Sequence, residues 1–420
     1  MKEGYKKTEV GVIPEEWDIK KLIDISEKIF VGIATSTTNY YTNEGTVLIR
    51  NQNIKSDKLD IQDLLKITDS FSEVNENKKL KYGDVLTVRT GYPGISCVVP
   101  KEFEGSQTFT TLITRPKKSH INPFYLSRYF NSELGKRIFN SGKAGGAQQN
   151  LGVKFLEDIN VIIPPLKEQE KIAEILSTVD GQIDDTEMLI EKCQELKKGL
   201  MQKLLTRGIG HTEFKKTEVG EIPVDWRVKK LEQVTDIVNG GTPDTREETY
   251  WKNGNIKWAT PTDITRNNKK YILETEKSIT EEGLKNSSAT LLPVGSILMS
   301  SRATIGERSI NTVPMSTNQG FKSFICKSII NNEYLYYYIE KLKKQMIKIS
   351  AGSTFLEISK KDIENIKIAI PSLEEQEKIA KMLSSIDNGI DYYKNKKEKL
   401  EELKKGLMQQ LLTGKIRTSI

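Results

Sequence analysis

The side chains of this chain best suited to chemistry are hydrogen-bonding groups gathered in short, polar, glycine-bearing stretches. In the first half they are Arg50, Asn51, Gln52 and Asn53; Arg89, Thr90 and Tyr92 around Gly91; and Lys143, Gln148, Gln149 and Asn150 beside Gly145 and Gly146. In the second half they are Thr260, Thr262 and Asp263; Ser301, Arg302 and Thr304; Asn318 and Gln319; and Ser353 and Thr354. An Arg guanidinium can pair bidentately with guanine and an Asn or Gln amide with adenine. Ser, Thr and nearby glycines let backbone N–H groups approach phosphate. These residues are therefore candidate DNA contacts. A single such stretch reads most simply as a solvated turn; the weight comes from the set returning in both halves. Arg89 and Arg302 follow comparable apolar runs at comparable offsets from Gly83 and Gly295, which predicts a shared role.

Covalent chemistry is not visible. No GxGxxG opens a βαβ unit and no GxxxxGK loop occurs; Gly142-Lys143 lacks the upstream glycine. Asn122-Pro123-Phe124-Tyr125 lacks the second proline of an amino-methyltransferase motif and reads as a helix start. Pro243-Asp244 is not followed by the Asp/Glu-x-Lys of a nuclease core. The histidines, His120 and His211, stand in unrelated contexts, and Cys97, Cys193 and Cys326 never approach a CxxC spacing. The expectation is a chain with no catalytic residue, no metal and no cofactor of its own. The competing reading is a stand-alone DNA methyltransferase or nuclease with diverged motifs.

The elements that must position these loops are duplicated. Lys6-Lys7-Thr8-Glu9-Val10-Gly11 returns as Lys215-Lys216-Thr217-Glu218-Val219-Gly220, and Ile13-Pro14 with Trp17 returns as Ile222-Pro223 with Trp226. Glu168-Gln169-Glu170-Lys171-Ile172-Ala173 returns from Glu375, and Leu196-Lys197-Lys198-Gly199-Leu200-Met201-Gln202 returns from Leu403. The order is head, helix, head, helix. From Glu168 to Thr206 roughly 24 of 39 positions match without a gap, whereas the heads match only in places. The helices thus do one job twice and the heads two versions of one job. Within the heads, Val47–Arg50, Val85–Val88, Ile256–Trp258 and Ile297–Met299 predict strands, and Tyr125–Phe139 and Tyr334–Ile349 predict helices.

Pro164-Pro165 and Pro371-Ser372 open two long helical stretches. Apolar residues then recur in a coiled-coil-like seam: Ile172, Leu176, Val179, Ile183, Ile190, Leu196, Leu200 and Leu204, and again Ile379, Leu383, Ile386, Ile390, Leu400, Leu403, Leu407 and Leu411. A helix of about 40 residues rises roughly 60 Å and cannot bury its seam alone. Its economical partner is the other copy, antiparallel, with an approximate two-fold axis and a head at each end.

Charge agrees with DNA as a partner. The chain carries a net +7, yet Leu166–Thr206 holds roughly 6 basic and 9 acidic residues and Leu373–Thr413 roughly 8 of each. The positive excess therefore lies outside the helices, where phosphate contact would use it. With no N-terminal apolar stretch and no run near the roughly 20 residues of a membrane span, the expectation is a cytoplasmic protein without membrane contact.

The paired motifs before each head, opening each helix and closing each helix resemble those of type I restriction–modification specificity subunits, over essentially the whole chain. That resemblance implies an α+β chain of two mixed α/β target-recognition domains separated by two long helices in an antiparallel, pseudo-two-fold coiled coil. The expected bounds are 1–165 and 207–372 for the domains, 166–206 and 373–415 for the spacer helices. It implies that each domain reads one half of a bipartite site in double-stranded DNA, and that the helices set the spacer and dock methyltransferase subunits, two of them. Restriction–translocase subunits would complete the complex. S-adenosylmethionine, ATP and Mg would sit on those partners. Recognition residues vary with the target in this family, so the loop residues above come from their own chemistry. Exchanging Gly32–Val161 for another member's segment is expected to change one half-site only.

Overall fold

The computed structural model describes residues 3–141, 151–350 and 356–418. The chain divides into two compact units, Met1–Glu187 with Asn395–Ile420, and Met188–Lys394. Two long helices, Leu166–Arg207 and Leu373–Leu411, each contribute one part to either unit.

The first unit opens with an antiparallel hairpin, Tyr5–Thr8 against Gly11–Pro14. Its main sheet orders Ser96–Val98, Val85–Thr87, Leu112–Pro116 and Ser26–Val31, all antiparallel. A second sheet places Tyr41–Arg50 between Leu65–Ile67 and Gln107–Phe109, the last pairing parallel. Both strands expected from the sequence lie here; Val85, Leu86 and Thr87 are all buried, which suits β-branched and aliphatic side chains in a central strand. The helix expected over Tyr125–Phe139 is broken into Pro123–Asn131 and Glu133–Ser141. Ser132 is the reason: its Oγ donates to the Tyr129 carbonyl and accepts from Gly135 N–H, capping one helix and starting the next. Gly135 allows the close turn, since a Cβ there would stand 2.2 Å from the Phe130 carbonyl oxygen.

The second unit repeats the plan. A hairpin pairs Phe214–Thr217 with Gly220–Pro223. A five-stranded sheet orders Thr235–Asn239, Lys322–Cys326, Ile297–Met299, Arg308–Asn311 and Tyr271–Ile272. Ile256–Ala259 lies between Lys277–Ile279 and a parallel Met315–Thr317. Here one helix runs unbroken from Asn332 to Ser350. In each unit a strand after the tryptophan pairs with the strand before a long helix, Asp18–Lys21 with Asn160–Ile163 and Arg227–Lys230 with Lys367–Ile370.

Within each unit the long helices run antiparallel. In the first, Lys397 meets Glu187 at 2.8 Å, Lys404 meets Asp180 at 2.8 Å and Arg417 meets Glu168 at 2.8 Å, so one number climbs as the other falls. In the second, Lys197 meets Asp387 at 2.6 Å and the Ile209 N–H meets Glu375 at 2.9 Å. The seam departs from the expected one most sharply where two leucines are expected in it. Leu196 and Leu403 are 54% and 50% exposed, and their neighbours Lys197 and Lys404 take the inward place. The steps Cys193, Lys197, Leu200, Leu204 and Leu400, Lys404, Leu407, Leu411 keep the four-three-four period with a lysine in it. A search for apolar residues alone skips that position.

Each long helix is anchored to its own head by a repeated pair. Glu168 and Gln169 are fully buried. Glu168 accepts from the Trp17 indole at 3.0 Å, while Gln169 donates to the Pro164 and His120 carbonyls and accepts from Asn122 N–H. Glu375 accepts from Trp226 at 3.0 Å, and Gln376 binds the Pro371 and Ile329 carbonyls and Asn331 N–H. His211 and Arg417, each three residues past a glycine that ends a helix, occupy the same place against Glu375 and Glu168. His211 is thus the counterpart of an arginine.

A further polar contact in the second unit sets a pH dependence. Lys270 meets Glu333 at 2.8 Å, and the Tyr271 hydroxyl donates to the same carboxylate. Burial pushes the Glu333 carboxyl up, but the hydrogen bonds from Lys270 and Tyr271 together hold it below the ordinary carboxylate range. A depressed folded pKa stabilises above the unfolded value, and that contribution is lost as pH falls through the folded one. The melting-temperature advantage of the native chain over Glu333→Gln is therefore expected to be largest near neutrality and to shrink below about pH 4. Thermal melts of both proteins across that range check it.

Candidate nucleic-acid interface

In each unit, strand ends from both sheets bring three loops together. In the first unit the loops are 50–53, 88–94 and 109–111. Asn51 links them: its amide donates to Thr90 Oγ1 at 3.1 Å and its carbonyl accepts from Thr111 Oγ1 at 3.1 Å. In the second unit the loops are 260–263, 300–306 and 318–320. Ser301 donates to the Gly320 carbonyl through N–H and Oγ, and Asn318 N–H bonds the Ala259 carbonyl. A fourth segment approaches closely in both. A Cβ on Gly32 would stand 2.3 Å from Thr108 O, and one on Gly240 would stand 1.8 Å from Asn318 O, so each head needs glycine where this strand leaves the sheet.

The backbone pattern aligns the two heads residue by residue. Gly94 N–H bonds the Val88 carbonyl as Gly306 N–H bonds that of Ser300, and the Tyr92-to-Thr90 turn is repeated as Thr304-to-Arg302. Gly91 and Ala303 sit at the same left-handed position, with φ of 81° and 54°. This registration corrects the expected equivalence by one residue: Arg302 corresponds to Thr90, and Arg89 corresponds to Ser301. The two arginines nonetheless converge in a different way. Arg89 Nε donates to the Leu151 carbonyl at 2.9 Å, and Arg302 Nε meets Glu357 at 2.9 Å. Each holds the segment that enters the domain's last short helix.

The candidate side chains divide by what already occupies them. Asn53 is buried, accepts from Arg50 N–H and donates to the Asp60 and Gln62 carbonyls. Asp263 is its counterpart, accepting from Thr260 N–H, Thr260 Oγ1 and Glu276 N–H. Both are helix-capping residues, so their polar atoms are already engaged within their own loops. Ser301 is fully buried on Gly320. Arg50 donates Nη2 to the Asp63 carbonyl, and its buried Nε has no partner among the described residues. Asn318 accepts from Gly320 N–H, and Gln319 is exposed and joined to Thr242. Gln52, Thr262 and Thr304 are exposed, Tyr92 is 80% exposed and the Arg302 side chain is 48% exposed. Lys143, Gln148, Gln149, Asn150, Ser353 and Thr354 lie outside the described residues.

Two residues absent from the sequence reading shape the second head. Glu357 pairs with Arg302 and, at 3.7 Å, with Lys322. Burial pushes the Lys322 ammonium below its ordinary range against the opposing pull of Glu357. Neither had a local signal, because the pairing joins positions far apart in the chain. Among the described residues no group of His, Cys, Asp and Glu could hold a metal ion, and no helix is long and apolar enough to cross a membrane.

Comparison with known proteins follows the same two-part layout. The family model described as the type I restriction modification DNA specificity domain matches twice, over residues 14–195 and 223–402. The type I restriction enzyme MjaVIII specificity subunit of Methanocaldococcus jannaschii is 32% identical over 431 residues, covering 99% of this chain and 96% of its own. The EcoR124I/EcoR124II specificity subunit of Escherichia coli is 29% identical over 170 residues, 39% of this chain and 41% of its own. Two solved structures share the fold. The type I restriction–modification S subunit from M. genitalium has a TM-score of 0.59 at 14% identity, covering 94% of this chain and 96% of its own. The HsdS subunit from Thermoanaerobacter tengcongensis has a TM-score of 0.50 at 20% identity, covering 96% and 98%.

Proposed function

The chain belongs to the type I restriction–modification DNA specificity family, and from that membership we propose that it reads a two-part DNA site, one half per head, without catalysing a reaction itself. The observation that carries this reading is the contrast between constant and varied parts. One helix is used twice with roughly 24 of 39 positions kept and no gap, while the two heads present the same three-loop frame with different side chains on it. A frame that is kept while its side chains differ is what two base-reading surfaces for two sequences require.

The exposed loop residues are the proposed readers: Gln52 and Tyr92 in the first head, Thr262, Arg302, Thr304 and Gln319 in the second. The heads are proposed to occupy 1–165 and 207–372, and the spacer helices 166–206 and 373–415. Half-sites one duplex turn apart lie on one DNA face about 34 Å from each other, a distance suited to a stiff helical spacer. Two modification subunits docked on the helices would supply S-adenosylmethionine and methyl transfer. Restriction–translocase subunits would supply ATP hydrolysis, Mg and cleavage. The cytoplasm, where the DNA is, is the proposed location.

The deciding experiment is to sequence methylated adenines in a cell expressing this chain with its partner subunits. A two-part motif with a fixed unread gap is expected; methyl transfer by the purified chain alone would refute the reading. For a single residue, Arg302→Ala is expected to weaken binding of the cognate duplex by ~1–3 kcal/mol and relax specificity at one position. Titrations at fixed salt against cognate and single-substituted duplexes check both halves of that statement.

A further inference from the structure

We propose that the paired helices carry the same three-residue socket twice, Ser177–Asp180–Lys404 and Ser384–Asp387–Lys197, into which Arg128 of one head and Tyr337 of the other plug, fixing each head's angle and thereby the spacer length that is read. The inference rests on the two-part-site reading above and adds the residues that would set the spacing.

The socket residues are equivalent by position. Ser177, Asp180 and Lys197 fall within the gapless match of the two helices, onto Ser384, Asp387 and Lys404. The contacts are equivalent as well. Lys404 meets Asp180 at 2.8 Å in the first unit, and Lys197 meets Asp387 at 2.6 Å in the second. The plug residues occupy one place in the heads. Asn122 and Asn331 N–H groups both bond the buried glutamine of a long helix. Three residues on, the Tyr125 and Tyr334 hydroxyls both donate to a carbonyl of the strand before that helix. Three further on stand Arg128 and Tyr337.

What differs is the head side. Arg128, 4% exposed, pairs with Asp180, reaches Ser177 Oγ at 3.4 Å, and meets Asp57 at 2.8 Å. Asp57 lies in a hairpin turn at φ 61° and also accepts from Ser127 Oγ and Asn131 Nδ2, each at 2.8 Å. In the other head, the Tyr337 hydroxyl donates to Asp387 at 2.6 Å and contacts Ser384 Oγ at 3.2 Å. Lys270 completes that side, donating to Ser384 Oγ at 2.7 Å. A constant acceptor on the helices thus receives an arginine from one head and a tyrosine from the other, and each head adds a second polar strut of its own.

This geometry bears on spacing because of the duplex. Adding one base pair moves a half-site by roughly 3.4 Å along the axis and by about a tenth of a turn around it. A head able to swing on its helices could follow that shift. A head held by a charge-assisted contact on one helix, whose acceptor is in turn paired with a lysine of the other, cannot, so sites of the wrong spacing go unread. Arg128 and Tyr337 are positioning residues here, acting through the helices.

The test is a plasmid library carrying the native half-sites at the native spacing and at one base pair more or less, methylated in cells by the full chain with its partners. Tyr337→Phe removes one hydroxyl and leaves the ring in place; Asp180→Ala removes the acceptor in the other socket. Either variant is expected to raise methylation at the altered spacings about tenfold relative to the native spacing, with the bases of both half-sites unchanged. If Asp180→Ala does not accumulate as folded protein, Tyr337→Phe decides the matter. Unchanged spacing discrimination in folded Tyr337→Phe, or altered base preference, overturns the socket. A native chain that yields no two-part motif overturns instead the functional reading beneath it.

Discussion

Exchanging Leu22–Ile159 for the matching segment of another family member is expected to replace one half of the methylated motif and leave the other half intact. Discrimination between specific and non-specific DNA is worth about 4–10 kcal/mol, and one head would carry a large share of it. The old half-site should therefore fall to background while the new one appears, as sequencing of methylated adenines would record. The junctions matter. A cut at Gly32 would leave Ser26–Val31 behind to pair with a foreign Leu112–Pro116, and a cut at Val161 would divide the strand Asn160–Ile163. Moving the cuts to Leu22 and Ile159, which share a backbone hydrogen bond of 2.9 Å, keeps Asp18–Lys21 paired with Asn160–Ile163 beside the long helix. The transplanted head must also bring a donor to the place of Arg128 if Asp180 is to remain satisfied. A chimera in which both halves of the motif change would refute the modular reading.

Glu168→Ala is expected to cost about 3 kcal/mol of stability, because it removes a buried, hydrogen-bonded carboxylate and leaves the buried Trp17 indole without an acceptor. The carboxylate is fully buried and holds the Trp17 indole at 3.0 Å and Arg417 at 2.8 Å and 2.9 Å. Its loss would strand the Trp17 indole N–H and leave the Arg417 guanidinium with Glu16 alone beside the start of the long helix. It would also unfasten Trp17 from the helix it anchors. For a unit of this size the melting temperature should drop by roughly 10 °C. Glu168→Gln, which keeps an acceptor for Trp17, should recover part of the loss. Differential scanning calorimetry on the full chain separates the cases, and a Glu168→Ala protein melting like the native one would show that the anchor is dispensable.

The candidate interface was legible in outline only. Polar, glycine-bearing stretches do mark the loops that meet at the sheet ends, because such residues are tolerated where the backbone turns. Which of their atoms remain available was not legible. Asn53, Asp263 and Ser301 have the right chemistry for a base edge, but that same chemistry caps helices and ties loops together. The expected match of Arg89 with Arg302 failed by one residue, because their offsets from Gly83 and Gly295 are close but unequal, and the hydrogen-bond register follows the equal offsets, which pair Arg89 with Ser301.

By itself, the sequence determined the duplication, the alternation of heads and helices, the antiparallel partnership of two helices too long to stand alone, and the family. All of these follow from local periods and from one stretch resembling another, which need no coordinates. Only the tertiary structure decided what the repeated residues are for. Trp17 and Glu168 lie 151 positions apart yet share a hydrogen bond. Lys404 sits in an apolar seam because Asp180 waits across it, and Arg128 and Tyr337 prove equivalent although their side chains share nothing. Burial of a charge is stable only where an opposite partner is brought to it, and that meeting is a property of the fold, not of any neighbourhood along the chain.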